Sequence, residues 1–200
     1  MSATTISNRV DKRPGVWHKR ENEYLKTVKQ YDENERYDVS TLLALVTKSL
    51  QDNPAQDFLG GLFMTLELSN HWKGQYFTPY DVADMMTHVT VGDGSVLKEK
   101  IRQNGFVSVC DPTCGSGVML IAFSNHCREL GIDPSKEVLL VGEDIDETAA
   151  LMCYIQLCLL GYMGSVTIGD ALAEPVYADI EERTWITPAY ILKIRDTFKR

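Results

Sequence analysis

The chain has 200 residues, of which 44% are hydrophobic and 24% charged, and its formal net charge at pH 7 is −8. This length allows one sizeable core with a small helical region but not two large domains, and the negative charge argues against a general nucleic-acid-binding surface. No apolar run reaches the roughly 18 residues of a membrane span and the N-terminus lacks an apolar signal core, so a cytoplasmic protein is expected.

Residues 1–33 form a basic N-terminal segment. In residues 1–30 basic side chains outnumber acidic ones: Arg9, Lys12, Arg13, Lys19, Arg20, Lys26 and Lys29 stand against Asp11, Glu21 and Glu23. Two interpretations remain open at this point. The segment is either an arm that contacts phosphates or a solvated, partly disordered tail.

Residues 34–92 are predicted to be a helical lead-in. "VSTLLALVTKSL" (39–50) has apolar residues at helical spacing, and Asn53-Pro54 ends that helix. "AQDFLGGLFMTLEL" (55–68) predicts a second helix, in which Gly60 and Gly61 permit close packing or a kink. A loop follows, and Pro79 is predicted to begin a third helix.

From residue 93 to residue 200 the pattern indicates alternating strands and helices. The apolar runs "FVSVCD" (106–111), "EVLLVGEDID" (137–146) and "SVTIGD" (165–170) predict strands, with helices over 117–130 and about 147–160 between them. Continuous apolar strands that alternate with helices are typical of a parallel sheet covered on both faces. The predicted fold class is therefore α/β with a partial parallel sheet.

Each of these strands ends in a carboxylate, namely Asp111, Asp144 and Asp170. Ligands of parallel sheets bind at the carboxyl ends of the strands, so the three side chains predict one lined pocket. Gly115-Ser116-Gly117 follows Asp111 and lets the backbone approach a ligand closely.

The residues around the glycines argue against two common ligands, the phosphates of a P-loop site and a dinucleotide, although a dinucleotide-binding oxidoreductase stays a minor alternative. No Gly-Lys-Ser/Thr sequence follows, and Leu120 occupies the third glycine position of a dinucleotide fingerprint. Asp111 would also repel a pyrophosphate. A zwitterionic nucleoside fits better, with its amino acid end at the glycines, its ribose on Asp144, and its purine against Ile145 and Asp170. The predicted cofactor is S-adenosyl-L-methionine.

Four segments carry a family resemblance: "GQYFTP" (74–79), "VCDPTCGSGVML" (109–120), "GEDID" (142–146) and "GDAL" (169–172). In this order and spacing they resemble the adenine-N6 DNA methyltransferases, and most closely the modification subunit of type I restriction-modification systems. The resemblance implies a Rossmann-like methyltransferase fold preceded by a helical region. It also implies DNA as substrate and restriction-modification subunits as partners. The exposed edge of a partial sheet has to be covered by another part of the chain or by a second chain, so a homodimer is the alternative expectation.

The resemblance implies roles for residues in all four segments. Those at the methionine end of the cofactor would be Gln75, Tyr76, Phe77, Thr78 and Pro79. The amino acid moiety would lie against Asp111, Pro112, Thr113, Gly115, Ser116 and Gly117, the ribose against Asp144, and the adenine against Ile145, Asp170 and Leu172. Each has a structural alternative, since Phe77 can be a core residue and Asp144 and Asp170 can cap turns.

The catalytic tetrapeptide of that family, Asn/Asp-Pro-Pro-Tyr/Phe, is absent from the sequence. The segment at the expected distance is "TPAY", with Thr187, Pro188 and Tyr190 as candidate catalytic residues. The alternative is that "TPAY" is only a turn. Two functions follow: an adenine-N6 DNA methyltransferase, or an inactive module that binds the cofactor and assembles with or interferes with restriction-modification subunits. No cysteine or histidine spacing indicates a metal site, so none is predicted.

Overall fold

The computed structural model describes residues 1–66, 76–173 and 182–197. Its helices are α1 (Ser2–Val10), α2 (Pro14–Val28), α3 (Glu33–Asp52), α4 (Phe58–Thr65), α5 (Tyr80–Val91), α6 (Ser95–Asn104), α7 (Val118–Glu129), α8 (Pro134–Glu137), α9 (Glu147–Leu159) and α10 (Pro188–Thr197). Its strands are β1 (Val107–Asp111), β2 (Val138–Asp144), β3 (Gly164–Ile168) and β4 (Thr184–Ile186). Within these described ranges, no helix is both long enough and apolar enough to cross a membrane.

The four strands form one sheet in the order β1-β2-β3-β4. The first three strands are parallel, with Asp111 opposite Gly142 and Asp144 opposite Ile168. The fourth strand is antiparallel to β3. The fold is therefore α/β, a sheet flanked by helices, and the three strands predicted from the sequence are confirmed.

The core lies between the sheet and the helices that connect its parallel strands. Val138 and Leu140 of β2 are fully buried there, together with Ile121 of α7 and Leu157 of α9. The apolar side chains of β2 that point to the other face, Leu139 and Val141, are only half-buried. The two faces of the sheet are thus covered unequally.

The basic N-terminal segment is helical and packed, so its interpretation as a partly disordered tail is wrong. Ala3 of α1 belongs to the main core, and the Arg20 guanidinium of α2 lies 3.8 Å from the centroid of the Trp185 ring. Arg20 is only 4% exposed, and it donates to Asp11 Oδ2 (3.2 Å) and to the Thr184 carbonyl (3.0 Å). The apolar and charged side chains of α1 and α2 thus attach these helices beside β4.

The predicted lead-in helices are present as α3, α4 and α5. Asp32 and Glu35 form a reciprocal capping box at the start of α3, which places that start before residue 39. The fourth helix packs on α9, and the fifth packs on α7. The lead-in helices are therefore part of the same packed structure as the sheet.

All five cysteines are free thiols, and they differ in burial. Cys153 is fully buried, whereas Cys110 on β1 is exposed. Cys110 is exposed, although it lies in the apolar run 106–111, because, among the described residues, β1 pairs with β2 alone and has a free edge.

Candidate functional site

A cleft of about 990 Å³ lies at the carboxyl ends of β1, β2 and β3. This volume suits a nucleoside-sized ligand. Most of the residues predicted for the cofactor line it: Tyr76, Phe77, Thr78, Asp111, Pro112, Thr113, Gly115, Ser116, Asp144, Ile145, Asp170 and Leu172. The three strand-terminal carboxylates therefore share one cleft, as their positions in the sequence predict.

The glycine bend between β1 and α7 depends on two glycines with positive φ. Gly115 has φ +53°, and a Cβ there would lie 3.1 Å from the Phe77 ring. Gly117 has φ +99°, and a Cβ there would lie 2.7 Å from Cys153 Sγ. Gly117 is also the N-cap of α7 and supplies no side-chain cap, so N–H groups of the first helical turn are available to an anionic group.

Asp144 connects the end of β2 to the glycine bend. Its Oδ2 accepts a hydrogen bond from the Gly115 N–H at 2.8 Å, and its Oδ1 accepts one from the Asp146 N–H at 2.9 Å. The side chain therefore caps a turn and lines the cleft at the same time. A carboxylate has about four acceptor positions, so two remain for a ligand.

Asp111 lies near the negatively charged Asp144, and its Oδ1 accepts the Thr113 N–H at 3.1 Å. Burial raises the pKa of Asp111, and the negative charge of Asp144 raises it further against the opposing effect of the Thr113 hydrogen bond. Two carboxylates facing one cleft favour a ligand that carries positive charge.

The β3 side of the cleft combines a turn-capping carboxylate with exposed apolar side chains. Asp170 Oδ1 accepts the N–H groups of Leu172 (2.9 Å) and Ala173 (3.2 Å), so the turn-cap alternative holds here as well. Leu172 is 96% exposed and Ile145 is 72% exposed. Apolar side chains at the rim of a polar cleft are suited to pack against a flat ring.

The "QYFTP" segment is only partly placed at the cleft. Phe77 is half-buried and packs against Phe63 of α4 at a centroid distance of 5.7 Å, so it contacts both the glycine bend and the helical region. Tyr76 is 71% exposed at the cleft. Pro79 is the N-cap of α5 and lies outside the lining set, as Gly117 does. Gln75 lies outside the described residues.

Ser116 is turned into the protein interior. Its hydroxyl donates to Asp57 Oδ2, while Gln156 Nε2 donates to Asp57 Oδ1 (2.8 Å) and to the Ser116 carbonyl (2.9 Å). The Gln156 Oε1 accepts the Leu59 N–H at 3.1 Å. Ser116 thus anchors the glycine bend to α4 and α9, and the sequence gives no local signal for Asp57 and Gln156 as its partners.

The structure separates "TPAY" from the cleft. Thr187 is fully buried at the start of β3, where its N–H donates to the Gly164 carbonyl (2.9 Å) and its Oγ1 accepts the Gly164 N–H (3.0 Å). Asp170 follows the other end of β3, and the strand itself is about 13 Å long. The reason is that β4 runs antiparallel to β3. The last residue of β4 therefore lies beside the amino-terminal end of β3.

The remaining residues of the tetrapeptide follow Thr187 away from the cleft. Pro188 is the first residue of α10, and the Tyr190 N–H approaches Thr187 Oγ1 at 3.4 Å. This is the behaviour of a helix N-terminus, where a threonine caps and a proline begins the helix. The assignment of Thr187, Pro188 and Tyr190 as catalytic residues is corrected to the turn alternative.

The cleft also contains lining residues outside the predicted set: Cys114, Val118, Met119, Asp146, Glu147, Thr148, Gly169 and Ala171. Asp146 is the N-cap of α9, because its Oδ1 accepts the N–H groups of Thr148 (2.9 Å) and Ala149 (3.1 Å). A signal for this cap exists in "DIDET", where an aspartate comes directly before a helix.

The fold and the cleft define an α/β protein with a candidate ligand site at the carboxyl ends of a parallel sheet. The family model described as N-6 DNA Methylase matches residues 62–187. The chain belongs to the N-6 DNA methylase family. It is similar to the type I restriction enzyme MjaVIII methylase subunit of Methanocaldococcus jannaschii, with 23% identity over 150 residues, which are 74% of this chain and 24% of that protein. The chain thus spans about a quarter of that relative's length.

Proposed function

We propose that the chain binds S-adenosyl-L-methionine in the cleft and serves adenine-N6 methylation of DNA in a restriction-modification assembly of the cytoplasm. The observation that carries this proposal is the convergence of Asp111, Asp144 and Asp170 on one cleft with the glycine bend. A cofactor with an ammonium and a sulfonium group offsets the negative charge of these carboxylates.

The residues present fit the parts of this cofactor one by one. Asp111 would accept hydrogen bonds from the ammonium group, and the first turn of α7 would donate to the carboxylate. Asp144 would use its two remaining acceptor positions for the ribose hydroxyls. Ile145 and Leu172 would pack on the purine, and Asp170 would accept from its exocyclic amine. The bound cofactor supplies a methyl group on an electrophilic sulfonium.

Of the two functions that the sequence leaves open, the placement of Thr187 favours the module that binds cofactor and assembles with other subunits. Adenine methylation needs acceptors for the amine of the target base and a ring to stack on it. Thr187 and Tyr190 lie beyond the amino-terminal end of β3, whereas the cleft lies at the carboxyl-terminal ends of the parallel strands. We therefore propose that groups for the target base reach the cleft from outside the described part of the chain.

The edge of β1, which is unpaired among the described residues, is the proposed attachment point for those groups. Beside this edge is an apolar hollow of about 330 Å³, lined in part by Met86, Val91, Val109, Met119 and Phe123. An unpaired strand edge next to an apolar hollow is suited to accept a further strand. We propose that a restriction-modification subunit, or a second copy of the chain, covers it.

Calorimetry with S-adenosyl-L-methionine tests the cofactor site. Asp144→Asn removes a charge that receives two backbone hydrogen bonds, and the affinity should fall about 10-fold or more. Asp93→Asn is the matched control, because Asp93 also accepts a backbone N–H two residues on, from Ser95, at a turn outside the cleft. Equal affinity of the two variants, or no binding by the wild type, would contradict the proposal.

Transfer of a labelled methyl group to mixed-sequence DNA tests whether the chain acts alone. We expect cofactor binding without labelling by the isolated chain, and labelling when other restriction-modification subunits are added. Labelling of DNA by the isolated wild-type chain would contradict the module function and support the complete methyltransferase. Sedimentation of the isolated chain distinguishes a homodimer from a heteromeric assembly.

A further inference from the structure

His88 of α5 and His126 and Glu129 of α7 form a side-chain cluster outside the cleft. Glu129 Oε2 lies 3.2 Å from His88 Nε2 and 3.2 Å from His126 Nδ1. The facing atoms of the three side chains all lie within 4.8 Å of one another. Two helices thus direct three groups that can bind a metal ion to a single point.

The other nitrogen of each ring shows which atoms hold the protons. His126 Nε2 lies 3.1 Å from the Gly92 carbonyl, and His88 Nδ1 lies 2.9 Å from the Asp84 carbonyl. A carbonyl only accepts, so each of these nitrogens must donate an N–H. In the neutral rings the opposite nitrogens then carry lone pairs, and both lone pairs face the Glu129 carboxylate. Three acceptors that face one another repel unless a metal cation or a proton lies between them.

We propose that His88, His126 and Glu129 bind a divalent transition-metal ion of the zinc class. Tetrahedral zinc with bonds of roughly 2.0 Å separates neighbouring ligand atoms by about 3.3 Å. The two separations of 3.2 Å from Glu129 agree with this geometry. Two imidazoles and one carboxylate suit zinc better than magnesium or calcium, which prefer oxygen ligands.

The surroundings of the cluster match those of known zinc ligands. Each imidazole donates its remote N–H to a backbone carbonyl, which fixes the orientation and tautomer of a metal-binding histidine. His126 is buried, whereas the side chains of His88 and Glu129 are 44% and 60% exposed. The metal would therefore be reached from solvent, and a water molecule can complete its coordination.

Metal binding at this cluster would join two helices that begin beside the cofactor cleft. The fifth helix follows the Tyr76–Pro79 segment, and α7 follows the glycine bend. A metal bound to both helices would hold them together near their carboxyl-terminal ends. We therefore expect the metal to stabilise the folded chain without contacting the cofactor.

Protonation of His88 is the competing way to relieve the repulsion. The hydrogen bond to the Asp84 backbone raises the pKa of His88 against the opposing effect of desolvation, and the charges of Asp84 and Glu129 raise it further. Zinc must displace that proton. Zinc binding therefore strengthens as the pH rises, whereas stabilisation by protonation weakens. Metal uptake should release protons and should strengthen between pH 6 and pH 8.

The test is titration of the full chain with ZnCl₂ after removal of metals with a chelator, followed by calorimetry and thermal unfolding. We expect one zinc site and a rise of about 4 °C or more in the unfolding midpoint at saturating metal. His88→Ala and Glu129→Gln alter exposed side chains, and each should weaken zinc binding at least about 10-fold. His18→Ala, on α2, is the matched control and should bind as the wild type does.

Cobalt and cysteine controls identify the ligands. Co²⁺ should give the visible absorption of a four-coordinate site in the wild type and in Cys110→Ser, which removes the exposed thiol. The proposal is overturned if the wild type takes up no zinc, or if His88→Ala and Glu129→Gln bind it as tightly as the wild type. Stabilisation by protons alone, with no metal uptake at pH 8, would also overturn it.

Discussion

Polar side chains at the two ends of the parallel strands both bind the backbone, but they lie in opposite environments. At the amino-terminal end of β3, Thr187 is buried, and its hydroxyl accepts a hydrogen bond from the Gly164 N–H. At the carboxyl-terminal ends of the strands, Asp144 also accepts hydrogen bonds from backbone N–H groups. It lines an open cleft, however, and its remaining acceptor positions are available to a ligand. Hydrogen bonding to the backbone is therefore compatible with a purely structural role and with a binding role, and access to the cleft distinguishes them.

Two aspartates make the same comparison in electrostatic terms. Burial opposes ionisation of Asp11, but hydrogen bonds and positive charges from Arg13 and Arg20 lower its pKa below the ordinary value. The pKa of Asp111 is raised by burial and by the charge of Asp144. The negative charge of Asp11 is balanced by Arg13 and Arg20 of the protein itself. Asp111 has the negatively charged Asp144 as its neighbour and faces the cleft, where a cationic ligand can balance its charge.

The largest expected effect is on the stability of the N-terminal packing. Arg20→Ala leaves the buried Asp11 without one of its cations and should lower the free energy of unfolding by about 3 kcal/mol, since Arg13 still binds Asp11. Urea denaturation measures this change. Arg9→Ala, at an exposed position of α1, should change the free energy by less than about 0.5 kcal/mol. Equal effects of the two substitutions would mean that the segment contributes no specific packing.

The next effect concerns the glycine bend. Gly117→Ala should lower the free energy of unfolding by about 2 kcal/mol, because its backbone is strained for alanine and the new methyl group meets Cys153. Gly131→Ala is the control: Gly131 also has a positive φ (+78°), but no atom lies within 4 Å of a Cβ there. Its cost should be about 1 kcal/mol. If both variants unfold alike, contact with Cys153 has no role in the bend.

The smallest effect distinguishes the two aspartates by pH. A lowered pKa makes Asp11 contribute stability above its ordinary value of 3.8, and this stability is lost as the pH falls through its folded pKa. Asp111, with a raised pKa, becomes protonated sooner, so affinity for a cationic cofactor should fall several-fold on acidification while the chain is still folded. Calorimetry and acid unfolding check this order, and Asp111→Asn should weaken the pH dependence of binding.

The accuracy of the sequence prediction depends on how local each signal is. The strands ending in Asp111 and Asp144 are read from continuous apolar runs, and the bend after them from Gly115 and Gly117. Those signals lie within a few residues, and the structure confirms them. The family segments place most of the cleft residues for the same reason.

The errors arise where tertiary partners decide the outcome. The apolar pair Trp185-Ile186 is too short to indicate the direction of β4. Because β4 is antiparallel to β3, Thr187 lies at the amino-terminal end of β3, away from the cleft. The packing of α1 and α2 depends on the fit of Arg20 between Asp11 and Trp185, and Trp185 is distant from Arg20 in sequence. His88 and His126 are likewise on separate helices, so no motif spacing relates them.

The bonds from Asp144 to Gly115 and Asp146 have a consequence for the kinetics of binding. They hold the end of β2 against the glycine bend before any ligand arrives, so this side of the cleft is preorganised. Association with a small ligand should then occur in a single fast phase, without a slow isomerisation. Substitutions here should act mainly by shortening the residence time of the ligand, because the encounter rate depends little on contacts formed after docking.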